Sequence, residues 1–437
     1  MKREIYKNLL EWKASSNRKP LMLFGARQVG KTYILKEFGH NEFDNMVYVN
    51  CYRNPTIEQL FSATIDVKSL LLGLSAISRE EIKPERTLIF IDEVQEIPAV
   101  VASLKYFCED AREYCIAVAG SLLGVLDMNG ISFPVGKVNM LDMYPMTFPE
   151  FMEAMGMEQA KDILFNEEWS ISNALDSKYI ETLRQYYYVG GMPEAVLDFV
   201  TKRNPVSVRT IQNEILNAYY ADIAKHAGKN SQRCRMVLQS IPAMLAKENK
   251  KFIFGALKKG ARASDFEVAI QWLVDARLIY KLNRVKKVEM PLSFYEDNNA
   301  FKIFLLDVGL LGAMADIAPE VMLIENKIFT EYKGAFTENY VVNQLSTLVS
   351  QRKLYYYTKE NSQIEIDFVM QRNADLFPIE VKAEDNVKSK SLRQFITVDH
   401  SDGRLKGIRF SMKKYVDQEW MENVPLYAVI PYFKKKI

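Results

Sequence analysis

The chain has 437 residues, is 48% hydrophobic and 26% charged, and carries a formal net charge of +2. That length has room for roughly three domains, each able to bury a core, and the composition excludes a low-complexity or disordered chain. The near-neutral balance excludes global attraction to nucleic acid or membrane, so any basic surface must be local. Four cysteines (Cys51, Cys108, Cys115, Cys234) form no C-x-x-C pair, and three histidines (His40, His226, His400) lie far apart. Reduced thiols are therefore expected, with no zinc or histidine-rich centre. A metal here would be Mg²⁺ held by carboxylates and phosphate.

In chain order, "MKREIYKNLLEWK" reads as a short amphipathic helix without the apolar core of a signal peptide. No run approaches the ~20 apolar residues that span a bilayer. A soluble, cytoplasmic protein without a membrane partner is expected. "LMLFGARQVGKTYILKEF" follows: a strand-like run from Leu21 to Phe24, a loop, then a helical segment. Its eight residues Gly25, Ala26, Arg27, Gln28, Val29, Gly30, Lys31 and Thr32 match G-x-x-x-x-G-K-[ST] in the strand–helix setting that motif requires. The glycines let backbone N–H groups turn toward phosphate oxygens. Lys31 supplies charge to the β- and γ-phosphates, and Thr32 supplies a hydroxyl for Mg²⁺. ATP and Mg²⁺ are the expected cofactors.

Three further strands are predicted, at "MVYVN" (46–50), within "TLIFIDEVQEIP" (87–98) and at "CIAVAGS" (115–121). Continuous apolar runs of this kind belong to a parallel sheet covered on both faces. Ligands in such sheets sit at the carboxyl ends of the strands, where Asp92, Glu93 and Ser121 fall. Asp92 would hold Mg²⁺ through water, Glu93 would orient or deprotonate the attacking water, and Ser121 would sense the γ-phosphate. The competing reading of Asp92-Glu93 by itself is a solvated strand end.

GARQVGKT, "FIDEVQEIP", "AGS" and "FPVGKVNMLDMYPMTFPEFM", with the later "YYYVGGMPEAV" and "YYADIAKHA", resemble prokaryotic AAA+-type ATPases in which a P-loop domain precedes a C-terminal domain of uncertain role. The resemblance covers nearly the whole chain. It departs from the pattern at Gly136-Lys137, where the resemblance leads one to expect Gly-Arg. Lys lacks the planar fork of Arg, so no arginine finger is assigned.

Residues 156–230 read as a helical lid or connector, broken at Gly190-Gly191 and Pro193. Residues 231–295 read as winged-helix-like. "SDFEVAIQWLVDARLIYKLNRV" opens with a Ser264/Glu267 capping box, presents Ile270, Leu273 and Val274 as an apolar stripe, and ends in an alternating strand. Lys250, Lys251, Lys258, Lys259, Arg262, Arg284, Lys286 and Lys287 give this segment a local positive bias. DNA is thus one candidate partner; a solvated basic face on a rigid connector is the other reading.

The last segment, 296–437, contains "QIEIDFVMQRNADLFPIEVKA" (363–383), two alternating strands joined by a turn-rich link. A four-residue loop from Arg372 to Asp375 places Asp367 opposite Glu380 and Glu365 opposite Lys382. Carboxylates about 5 Å apart need a cation or a raised pKa to coexist. Pro378 weakens a central-strand assignment. The spacing Asp-x12-Glu-x-Lys resembles the restriction-endonuclease-like, or PD-(D/E)XK, superfamily. That resemblance implies Asp367 and Glu380 as Mg²⁺ ligands and Lys382 as the residue that positions or deprotonates water. It also implies an acidic residue on a preceding helix, and Glu338 answers it, sharing a face with Val342, Leu345 and Val349. The competing reading makes Glu365–Lys382 an ordinary cross-strand pair.

The expected architecture is α/β: an AAA+-like P-loop core over 1–155, the helical lid, the winged-helix-like segment, and a restriction-endonuclease-like C-terminal domain. Two functions are compatible with it. One is an ATPase coupled to a Mg²⁺-dependent nuclease or DNA-binding module. The alternative is a nucleotide-dependent signalling or assembly switch with an inactive nuclease-like domain, acting through a protein partner or self-association.

Overall fold

The computed structural model describes residues 1–120, 134–247, 250–323, 330–349, 354–359, 364–383, 389–401 and 403–436. The chain divides into two compact units: Met1–Tyr144 with Asp275–Arg277, and Pro145–Val274 with Leu278–Ile437.

In the first unit, β1 (Leu21–Phe24), β2 (Asn45–Asn50), β3 (Thr87–Asp92), β4 (Cys115–Ala119) and β5 (Asn139–Asp142) form one sheet in the order β2-β3-β4-β1-β5. Every pairing is parallel. β1, β3 and β4 are buried along their whole length, as their unbroken apolar sequences require of strands covered on both faces. The helices Pro55–Ala63, Val67–Ser78 and Pro98–Asp110 contribute Ile57, Phe61, Leu70, Leu74, Val100, Leu104 and Phe107 to the core against Ile89, Ile91 and Val118. Each such side chain stabilises the unit by about 1.5–3 kcal/mol relative to an exposed one. Asp66 starts the second of these helices by accepting from the Ser69 N–H, and Pro98 begins the third, where a missing N–H costs nothing.

The second unit begins with helices. Thr147 and Glu150 form a reciprocal capping box on Phe148–Ala154. The expected break at Gly190-Gly191 separates Asp176–Val189 from Pro193–Lys202. An eight-stranded mixed sheet follows, in the order β12-β13-β11-β10-β9-β8-β6-β7. Its strands are β6 (Ile279–Val285), β7 (Glu296–Leu305), β8 (Leu354–Thr358), β9 (Glu365–Arg372), β10 (Asp375–Lys382), β11 (Gly407–Ser411), β12 (Val416–Asp417) and β13 (Met421–Pro425).

The structure corrects four sequence expectations. "LIYKLNRV" is a strand, but β6 pairs with β7 and β8 inside the large sheet, so the boundary expected at 295/296 cuts a continuous ladder. The Ser264/Glu267 capping box does not form. The helix already runs from Ala263, and Asp265 accepts instead from the Arg262 N–H at 2.9 Å. The β9–β10 turn is tighter than expected: Arg372 pairs with Asp375, leaving Asn373 and Ala374 as the turn, with Asn373 at φ 51°. The register survives, because shortening a loop by one residue on each side keeps opposite residues opposite. Pro378 lies in a central strand after all. It faces Val369 on β9, one residue before β10 starts pairing with β11 at Ile379–Ile408, so its missing donor costs no bond to β11.

Candidate functional site

Two constellations stand out, one in each unit. In the first, β1 delivers the chain into a loop whose backbone requires glycine at two positions. Gly25 has φ +153°, and a Cβ there would lie 2.3 Å from the Met143 carbonyl oxygen; Gly30 has φ +97° and starts the helix Lys31–Glu42. Gln28 is left-handed at φ 68°. Ala26 and Val29 are buried, Arg27 and Gln28 exposed. Arg3 braces the loop, donating to the carbonyls of Val29 at 3.0 Å and Tyr144 at 2.6 Å. The free N–H groups and dipole at the start of this helix make an anion site.

Lys31 Nζ donates to the Gly25 and Ala26 carbonyls at 2.9 and 2.8 Å. Burial pushes its pKa down to about 8, against the pull of Glu93 and Asp92. Thr32 Oγ1 donates to Asp92 Oδ2 at 2.8 Å, so the loop and the end of β3 meet directly. Asp92 is buried; desolvation raises its pKa although the Thr32 hydroxyl and the Glu93 N–H at 3.0 Å both bond to it. A hydroxyl and a carboxylate in contact are hard oxygen donors, which fit Mg²⁺ completed by phosphate and water. Cys51 beside them is no competitor: burial, with Asp92 and Glu93 nearby, raises its thiol to about 12.

Glu93 adopts φ 53°, a left-handed conformation that a few per cent of non-glycine residues take. Its carboxylate accepts from Gln95 Nε2 at 2.5 Å. The other end of that amide faces Gly120, where a Cβ would lie 2.7 Å from Gln95 Oε1. Ser121 lies outside the described residues. Lys137 is engaged by Glu109 at 2.8 Å, and that hydrogen bond raises its pKa.

Sequence reasoning missed Arg3 and Gln95. Nothing in the sequence marks Arg3, a lone cation ahead of an amphipathic helix. Gln95 was visible within "DEVQ", but its role depends on the single turn Val94–Glu96 that brings its amide back to Glu93.

In the second unit, the helix Thr330–Leu345 turns Glu338 inward with Val342 and Leu345, as its position on the apolar stripe demands. Asp367 accepts from the Val381 N–H at 2.7 Å; burial and Glu338 raise its pKa to about 7. Glu380 is buried and bonded to Lys382 at 2.9 Å. Glu365 does not pair with Lys382; Lys302, itself buried, takes it at 2.5 Å. Lys250 forms an ion pair with Glu338. Glu338 and Lys382 both feel Asp367's neighbourhood electrostatically, so the four expected residues do share one region. Among the described residues, however, no three Asp, Glu, His or Cys side chains are grouped to hold a metal. Lys250 holds one oxygen of Glu338 and Lys382 one of Glu380, and the Oε2 atoms of both carboxylates are buried without a hydrogen-bond partner. With these ammonium groups in place Mg²⁺ does not fit this cluster as it stands.

The basic bias of 250–287 is divided. Lys250 and Arg284 are internal ion-pair partners, Arg284 with Asp297 at 2.6 Å, while Lys251, Lys258, Lys259, Arg262, Lys286 and Lys287 are exposed.

Residues 17–152 match the family model of an AAA domain, so the first unit carries an AAA-type P-loop domain. Residues 180–321 and 333–431 match two domains of unknown function, DUF8612 and DUF4143. No curated protein matches the chain. Among solved structures, the Walker-type ATPase PABY2304 of Pyrococcus abyssi is 13% identical, with 72% of this chain and 95% of that one covered and a TM-score of 0.42. The RuvB Holliday junction branch migration motor of Thermotoga maritima is 15% identical (64% and 89% covered, TM-score 0.28). Cdc6p of Pyrobaculum aerophilum is 11% identical (74% and 96% covered, TM-score 0.26). No helix among the described residues is long and apolar enough to cross a membrane.

Proposed function

We propose that this chain binds ATP with Mg²⁺ and hydrolyses it in its first unit. The observation that carries the reading is the Thr32–Asp92 hydrogen bond, which joins the phosphate loop to the end of β3 with Glu93 next in sequence. Lys31 and the backbone of Gly25–Thr32 would hold the β- and γ-phosphates. Thr32 and Asp92 would hold the metal, and bound Mg²⁺ would neutralise charge developing on the phosphates. Glu93, fixed by Gln95, would orient and deprotonate water; Ser121 keeps its expected role as γ-phosphate sensor. Steady-state ATP turnover tests this. Lys31→Ala should abolish nucleotide binding, and Glu93→Gln should keep binding while lowering kcat by about 10²-fold or more, the usual contribution of a general base. Full turnover in Glu93→Gln would refute the assignment.

For the second unit, the lysine-neutralised carboxylates favour the alternative function: a nucleotide-dependent switch whose nuclease-like domain binds but does not cleave. DNA is the proposed partner, through the exposed lysines and arginine of 251–287, and the cytoplasm the proposed location. The test is incubation of plasmid and linear DNA with Mg²⁺ or Mn²⁺, with and without ATP. Intact DNA together with DNA-stimulated ATP turnover is expected. Cleavage that disappears in Asp367→Ala would instead restore the reading of Glu338, Asp367, Glu380 and Lys382 as a nuclease site.

A further inference from the structure

The carboxylate cluster of the second unit contains its own cations, and one of them arrives from far away in sequence. We propose that Lys250 is the resident cation of the Glu338–Asp367 pair, a tethered ammonium that stands where a divalent metal would and excludes one while it remains there. The inference rests on the non-cleaving reading of this unit given above.

Four observations carry it. The Lys250–Glu338 ion pair is mostly buried, with side-chain exposures of 12% and 9%. Glu338 Oε2 is buried and has no hydrogen-bond partner, so Lys250 Nζ, on Oε1, is the donor this carboxylate has. Lys302 and Lys382 contact other carboxylates, Glu365 and Glu380, and add positive charge near Glu338 without bonding to it. Finally, Lys250 is held in place rather than merely long enough to reach. Two residues on, the Phe252 N–H bonds to the Phe301 carbonyl of β7 at 2.8 Å, and the two rings stack at 5.4 Å. One helical turn before Glu338, Gly334 presents no side chain, and a Cβ there would sit 3.8 Å from Lys250 Nζ.

An ammonium carries one charge and three donors, whereas Mg²⁺ or Mn²⁺ demands several oxygens around itself. With Lys250 in place, Glu338 cannot supply its share of those oxygens. Without it, Glu338 and Asp367 lose one of the ammonium charges that let them coexist, and an added cation or proton would take its place. The same residues therefore form either an ammonium site or a metal site, and Lys250 selects the first.

The test uses the full chain without nucleotide. Mn²⁺ binding is read by the loss of the free-ion electron paramagnetic resonance signal, and thermal melting is followed with and without Mg²⁺. Wild type should show no Mn²⁺ binding that depends on Glu338, judged against Glu338→Gln. Lys250→Met, which keeps the aliphatic stem, should melt earlier, gain Mn²⁺ affinity by roughly tenfold or more, and recover part of its melting temperature with Mg²⁺. Adding Glu338→Gln should erase both gains. Glu338-dependent Mn²⁺ binding by wild type would overturn the proposal, and so would a Lys250→Met variant that gains none. If Lys250→Met does not fold, Lys250→Arg decides: it should fold and remain insensitive to metal, and a metal response there overturns the proposal. DNA cleavage by wild type without Glu338-dependent metal binding would break the non-cleaving reading yet leave Lys250 as the resident cation.

Discussion

Lys31 holds its charge in a setting that works against it. Burial lowers its pKa to about 8, and the carbonyls of Gly25 and Ala26 are its present hydrogen-bond partners. A triphosphate would favour the ammonium and raise that pKa, so nucleotide binding should take up a proton above about pH 8. Above pH 8 the affinity should fall by up to about tenfold per pH unit; calorimetry in buffers of different ionisation enthalpy would read both effects. An affinity flat from pH 7 to 9.5 would show that Lys31 does not contact phosphate. Gln95 makes a second prediction at this scale. Its amide fixes one oxygen of Glu93 and leaves the other for water, so Gln95→Ala should lower kcat by about tenfold, some 1.4 kcal/mol, with nucleotide affinity unchanged. An unchanged kcat would make the contact incidental. The contrast between these residues marks what the sequence discloses. A motif residue such as Lys31 acts through neighbours adjacent in the chain, so its chemistry can be read there. Arg3 acts on Val29 and Tyr144 across 26 and 141 positions, and no local pattern records such a partner.

Secondary-structure elements show the same division. The alternation of "EIDFVM" and "LFPIEVKA" was enough to set the β9–β10 register, because period-two patterning and a short turn leave one alignment. Which ions pair was not legible: Lys302 comes from elsewhere and takes Glu365, which the hairpin alone would assign to Lys382, and Lys250 takes Glu338 on the preceding helix. The Gly190-Gly191 break was visible as a helix stop, but its cause is distant. A Cβ on Gly190 would lie 2.2 Å from Asp307 Oδ1, and one on Gly191 2.1 Å from the Met146 carbonyl oxygen. Asp307 is buried there, accepting from the N–H groups of Gly191 at 2.6 Å and Leu310 at 2.9 Å, the latter as cap of the helix Val308–Met314. Burial raises its pKa to about 6 despite those bonds, while the unfolded value is ~3.9. The folded state thus binds the extra proton between those values, so stability from this group is greatest below pH ~4 and is lost as pH rises toward 6, by on the order of 3 kcal/mol. Asp307→Asn keeps an acceptor for the cap and should flatten that slope in urea melts between pH 4 and 6.5. A slope unchanged by the substitution would place the titration elsewhere. Gly191→Ala should destabilise the fold by about 1–3 kcal/mol or more, since a carbonyl oxygen must move.

At the scale of the whole molecule, each unit carries a sheet, a hydrophobic cluster and one constellation of its own. A ligand that binds only the folded first unit should stabilise that unit by mass action, about 2.7 kcal/mol at a hundred times its Kd. Calorimetry of the full chain with Mg²⁺ and a non-hydrolysable ATP analogue should therefore raise the melting of the first unit, and Lys31→Ala should remove the shift. Asp367→Asn removes about half a charge on average near pH 7, because Asp367 is raised to about 7, and it changes no residue of the first unit's site. It should leave that shift, and ATP turnover in the absence of DNA, unchanged. DNA stimulation is where the two sites would first depend on one another. If Asp367→Asn lowered basal turnover as well, the carboxylate cluster would have to act on the nucleotide site even without a partner, and the picture of two sites linked only through bound DNA would fail. If it altered only the stimulated rate, the second unit would be the sensor and the first the responder, the order of events a nucleotide-dependent switch requires.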